Sequence, residues 1–291
     1  MRAVFVLFLV ACGAPAARTP ARSDYEIRVA RPSHVGERTA VVVDAKIDES
    51  SKSFTEQVLL KHEEKHFRLH FDALAETREV DAYGAPSRTE LTIRAFTKDA
   101  APVIGAGKHL VIVSAPEKKD ALVEIDGQPA SEEVRAFVDE VVPIGRGVGD
   151  ADTVFGTRER KRVGDAWPFD KRAMVYELAR TGVLAKPEAI DGHVSLASAA
   201  RDCVDVRIDL SVAAFEPEKP LPEGSEITRS RVKVRVDELL PIDPRLPRRA
   251  DDTVVHAEFE AFVPVKDQVE VAGVTVDHVS DRTRHATYTS L

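Results

Sequence analysis

A chain of 291 residues with 43% hydrophobic and 31% charged residues is long and apolar enough to bury a core, which excludes a wholly disordered polypeptide. Its net charge of −8 argues against gripping phosphate backbones, so no nucleic-acid partner is expected. No apolar run approaches the roughly 20 residues of a membrane-spanning helix.

The chain opens with MRAVFVLFLVAC. Arg2 supplies a positive start, and Ala3 to Ala11 form an apolar stretch too short to cross a bilayer. The residues alone leave room for an ordinary signal peptide or a buried strand. The run Leu9-Val10-Ala11-Cys12 resembles the lipobox of bacterial lipoproteins: a branched apolar residue, a tolerant position, a small residue and the cysteine. That resemblance implies a diacylglyceryl group on the Cys12 thiol, cleavage ahead of Cys12, and acylation of the new amine. One acyl chain binds membranes marginally, whereas two or more anchor stably. Gly13 follows, not Asp, which by the same resemblance favours the outer membrane, facing the periplasm. The expected partner is therefore a membrane, through Cys12. Residues 13–24 (GAPAARTPARSD) read as a flexible tether of at most roughly 40 Å.

Period-two alternation dominates the body, the habit of antiparallel strands with one wet face. Phe67, Leu69 and Phe71 alternate with Arg68 and His70; Leu91 and Ile93 with Thr92 and Arg94. Residues 107–114 have a continuous apolar centre and suggest a central strand. Ser131 is a good helix N-cap, followed by Glu132 and Glu133 and by Val134, Phe137, Val138 and Val141 at helical spacing. Residues 143–149 (PIGRGVG) are too glycine-rich for a strand and lack the Lys-Ser/Thr of a phosphate loop, so 143–170 reads as a connection. A second helix is expected over 170–181, with Ala173, Val175, Tyr176 and Leu178 partly on one face and Gly182 past its end. Strands recur at 204–212, 232–236 and 255–263. Turns are expected at Tyr83-Gly84-Ala85-Pro86, Asp126-Gly127 and Asp191-Gly192.

Residues 67–96 echo residues 232–262: a strand, an Asp, an apolar pair, a turn-rich stretch and a strand ending in Ala-Phe. Duplication and convergent hairpin grammar both account for it. Gly164-Asp165-Ala166-Trp167 resembles a G-D-x-W element of uncharacterised β-rich secreted and lipoprotein families of bacteria. The likeness implies a periplasm-facing β-rich body and carries over no catalytic residue. Trp167, the sole tryptophan, is expected to pack at the junction of the halves, with a ligand-stacking surface as the alternative.

His62-Glu63-Glu64-Lys65-His66 matches H-E-x-x-H, which on a helix places two zinc ligands one turn apart with Glu polarising water. Here the residues after it alternate as a strand, and Glu64 and Lys65 put charge inside the motif. Arg245, Arg248 and Arg249 form a basic loop patch with possible access to anionic headgroups. If Cys12 carries lipid, Cys203 has no disulfide partner; it is expected at a strand end, half-buried, in phase with the polar face.

The reading is a mainly β, β-rich α+β fold: antiparallel sheets in two halves related by the echo, with one or two short helices. Its segments are a signal peptide (1–11), a lipidated cysteine and tether (12–24), a β-rich half (25–142), a connection (143–170) and a second β-rich half (171–291). The expected function is a membrane-anchored envelope lipoprotein with a non-enzymatic binding or structural role, open to an apolar ligand or an envelope protein. No catalytic residue, cofactor or metal site is expected. The alternatives are a metal-dependent hydrolase using His62, Glu63 and His66, and a passive scaffold binding protein along a sheet edge.

Overall fold

The computed structural model describes residues 24–56, 58–82, 84–114, 121–142, 151–180, 182–217, 220–265 and 273–291. In chain order these form β1 (Arg38–Thr55), β2 (Val58–Val80), β3 (Pro86–Lys98), β4 (Ala101–Ile104), β5 (His109–Val113), β6 (Leu122–Ile125), β7 (Gln128–Pro129) and α1 (Glu132–Val141). There follow α2 (Ala151–Phe155), β8 (Ala166–Trp167), α3 (Lys171–Arg180), β9 (Val183–Leu184), β10 (Ile190–Ala199), β11 (Cys203–Val212), β12 (Glu216–Pro217), β13 (Glu226–Pro241), β14 (Ala250–Pro264) and β15 (Gly273–Ser290). The fold is mainly β, as the alternation predicts.

One antiparallel sheet runs β7-β6-β5-β3-β2-β1-β15-β14-β13-β11-β10-β8, with β4 attached to β3; β9 and β12 pair separately. The first half of the chain meanders outward from β1. The second half meanders inward to β15, and the two meet where β1 pairs with β15 from Thr39↔Ser290 to Phe54↔Thr275. The echoed hairpins β2–β3 and β13–β14 flank this seam in opposite chain order: β2 lies second from it, whereas β13 lies third.

Cross-strand register sorts the side chains onto two faces. Val43, Ala45 and Ile47 of β1 share a face with Leu69 and Phe71 of β2, and all are buried. This core takes Leu91, Ile93, Leu110, Ile112 and Val123 from the outer strands, and Val138 and Val141 of α1 seal it. Ser131 caps α1 by accepting from the Val134 amide at 3.3 Å, as its sequence predicts. A second core lies on the same face over β10, β11 and β13. There Val194, Leu196, Val206 and Ile208 meet Met174 and Leu178 of α3, Val154 of α2 and the extended residues Tyr25, Ile27 and Val29. Residues 151–170, read as part of a connection, therefore supply α2 and β8 to this core.

Three local expectations are corrected. On α3, Leu178 is buried and Ala173 and Val175 pack against the same core, as expected, but Met174 joins them and Tyr176 points into solvent. Residues 109–113 form β5, third from one end of the sheet and not central. Asp191-Gly192 is no turn but lies inside β10. A Cβ on Gly192 would stand 2.0 Å from the Asp209 carbonyl oxygen, so glycine is there for close approach of β11. Asp126-Gly127 does turn the chain between β6 and β7, both residues having positive φ. Gly84 is likewise left-handed between β2 and β3, while Tyr83 lies outside the described residues.

Candidate functional site

His62 to His66 lie on β2, so strand geometry replaces the helical spacing the zinc motif needs. His62, Glu64 and His66 share the polar face, and Glu63 lies on the other. Glu64 sits between the two rings, 3.1 Å from His62 Nε2 and 3.5 Å from His66 Nε2. Glu63 pairs with Lys61 at 2.8 Å. Among the described residues no group of three His, Cys, Asp or Glu is arranged to hold a metal ion.

The polar face extends this pattern across the seam. Four histidines each stand directly opposite an aspartate on the neighbouring strand: His66 to Asp48 at 3.0 Å, His70 to Asp44 at 2.8 Å, His285 to Asp252 at 2.5 Å and His256 to Asp281 at 2.7 Å. Asp48 also stands opposite Asp281 across β1–β15, so one row reads His-Asp-Asp-His over four strands. Hydrogen bonds to Asp48 and Glu64 hold the His66 ring above the usual imidazole range, and Asp281 and Glu258 do the same for His256. A concavity of about 570 Å³ opens on this face, with Arg68, His70, Asp44, Lys46, His285 and Asp252 in its lining. A smaller one of about 420 Å³ lies beside it over Lys233, Arg235, Ser211 and His256. The three helices and Tyr25–Val29 pack on the other face.

A third cluster is buried on the apolar side, between the cores. Asp251 of β14, 3% exposed, accepts from an Arg284 guanidinium and from the Tyr288 hydroxyl at 2.9 Å, both on β15. Arg284 also donates to the Tyr288 oxygen at 3.0 Å. Glu238 of β13, 5% exposed, takes Arg248 at 2.6 Å. Burial pushes the Glu238 carboxyl above its usual range, with Asp251 adding to the rise and Arg248 and Arg31 opposing it. Burial also pushes the Tyr288 phenol up to about 12. Arg282 links Glu49 of β1 to Glu140 of α1, each at 2.7 Å. Arg31 reaches in from the N-terminal segment to the carbonyls of Pro241 at 2.9 Å and Asp243 at 3.3 Å. This network joins the halves and has the chemistry of a structural lock.

The remaining candidates resolve structurally. The basic patch is neutralised: Arg245 pairs with Asp243 at 2.7 Å, Arg249 with Asp202 at 2.8 Å, and Arg248 turns inward to Glu238. Paired with Arg245, Asp243 is held down to about 2. Cys203 opens β11 but is fully buried where a half-buried thiol was expected, and burial raises its pKa, which suits an inert thiol. Trp167 packs inside the second core and donates its Nε1–H to the Phe155 carbonyl at 2.8 Å. Gly164 and Asp165 make the turn that docks β8 on β10: Asp165 Oδ2 accepts from the Arg162 amide at 2.7 Å and the Asp165 carbonyl from Leu196 at 3.0 Å. Cys12, the expected lipidation site, lies outside the described residues.

No family model matches the chain, and no curated protein does. Among solved structures, one similar chain comes from a study of lipid–protein interactions in lipovitellin. It is 7% identical with a TM-score of 0.33, and the match covers 86% of this chain and 25% of that one. The present chain thus spans about a quarter of that chain's length. A likeness at this level assigns neither family nor function.

Proposed function

We infer that the protein is an envelope lipoprotein anchored through Cys12, held at the outer membrane facing the periplasm, with a non-enzymatic binding or structural role. The observation that supports this reading is the asymmetry of the sheet. Its apolar face is filled by the chain's own helices and N-terminal segment, while its polar face carries the two concavities and none of those elements. A surface of paired charges with shallow grooves suits recognition of a polar partner more than chemistry on a sequestered substrate.

The anchor is tested by metabolic labelling with palmitate in a bacterial host. The wild type incorporates label and fractionates with outer membrane; Cys12→Ser does neither. A soluble, unlabelled wild type would refute the anchor. Native mass spectrometry of the purified chain tests the role. A stoichiometric zinc lost on His62→Ala would overturn the non-enzymatic reading in favour of the hydrolase. An extra mass of lipid size, released on unfolding, would identify an apolar ligand as what is bound.

A further inference from the structure

The sheet changes character at one end. β3 pairs with β2 only from Leu69 onward, so residues 58–68 of β2 run past it as the flank of a projecting arm. Through most of this arm the cross-strand rows on the polar face are charged: His62, Lys52, Asp277 and Glu260 stand side by side on β2, β1, β15 and β14. The next row in phase is Leu59, Phe54, Thr275 and Phe262. Beyond the bulge between Ser53 and Phe54, Val58, Leu59 and Leu60 are 62%, 50% and 54% exposed, three large aliphatic side chains in succession at the hairpin end. Nothing in the fold of the described residues requires them to be apolar, and water penalises each.

We propose that this hairpin end dips into the interface of the bilayer to which the chain is tethered. The proposal rests on the anchored-lipoprotein reading. A bilayer, and not a protein, is the occupant because the apolar group is a convex tip. A fluid interface moulds itself around such a tip, whereas a protein partner would need a pocket shaped for it. The flanks fit a polar interface: Lys52 on one stem and Lys61, paired with Glu63 at 2.8 Å, on the other stand directly behind the apolar residues, with aliphatic stems that can lie along the acyl boundary while their charged ends stay in water. Glu56, at the turn, confines insertion to headgroup depth. Residues 13–23 precede the described body, and a tether of that length holds the body within roughly 40 Å of the membrane. At the resulting effective concentration even a weakly inserting hairpin stays engaged, which fixes how the body is oriented over the lipid.

The test uses the full lipidated chain, reconstituted into vesicles of phosphatidylethanolamine with a minority of phosphatidylglycerol. Leu59→Cys carries an environment-sensitive fluorophore; Cys203 is buried and does not compete for the label. Leu246→Cys, also at an exposed position, serves as the control. The expected result is a blue shift and quenching by nitroxide-bearing lipids at position 59 and neither at 246. Lys52→Glu with Lys61→Glu should reduce the quenching at 59. A chain that floats with the vesicles while the label at 59 stays in water overturns the hairpin proposal and leaves the anchor intact. A chain that does not float overturns both.

Discussion

Asp251→Ala should be the most damaging surface-neutral change in the polar network, and its cost follows from what it strands. Asp251 is 3% exposed and accepts from Arg284 and Tyr288, with Arg248 at 3.8 Å. Removing it takes the acceptor from the Tyr288 hydroxyl and the countercharge from the Arg284 guanidinium, which keeps only the neutral Tyr288 oxygen and Val141 carbonyl in a mostly buried place. Breaking a buried ion pair from one side costs about 3–5 kcal/mol, far more than the intact pair contributes. In a chain of this size that lowers the melting temperature by roughly 6–20 °C. Glu238→Gln is the internal comparison. It keeps an acceptor for Arg248 and removes a charge that burial disfavours, so its cost should stay near or below about 1 kcal/mol. Differential scanning calorimetry of the three proteins at neutral pH decides the matter. If Asp251→Ala melts with the wild type, or Glu238→Gln falls as far as Asp251→Ala, the buried Asp251 cluster is not a structural lock.

Phe71→Ala should cost about 3–5 kcal/mol in a denaturant titration, because the ring is fully buried and meets Phe96 edge-to-face at 5.2 Å. Gly192→Ala should destabilise by more than about 1 kcal/mol and raise hydrogen exchange in β10 and β11, since its Cβ has no room beside the Asp209 carbonyl; unchanged exchange would contradict that. The raised pKa values of His66 and His256 make their pairs stabilising below the unfolded imidazole value of about 6.5, a contribution lost as pH rises through the folded values. Melting temperature should therefore fall as pH rises past the unfolded imidazole value of about 6.5, with a flatter profile in His66→Gln/His256→Gln; an identical profile in the double variant would dismiss the pairs as the cause.

Much of the fold was legible because its signals are local. Alternation at 67–71, 204–212 and 255–263 marks half-buried strands, and the Ser131 cap with its acidic first turn marks α1. Asp191-Gly192 misled because its composition suits a turn, whereas the need for glycine came from β11, distant in sequence. The buried network was hidden for a related reason. Arg282 and Arg284 are in phase with Ala286 and Tyr288 on β15, but two arginines on one strand face read as solvent-facing until Asp251 and Glu140 are known to meet them. Placing His66 and His70 on the polar face with Arg68 needed only parity, while their pairing with Asp48 and Asp44 needed the β1–β2 register.

The seam also sets the order of events in folding. Thr39 pairs with Ser290, so the centre of the sheet is built from the two ends of the described chain. During synthesis the outward meander of β1 to β6 can assemble early, but one side of β1 must wait until β15 has been made. Contacts so far apart in sequence are slow to form, because the intervening loop entropy is lost before they contribute. Until β15 docks, a long unpaired edge stands open in the middle of the molecule, and that interval is when the chain is most exposed to mispairing with its neighbours.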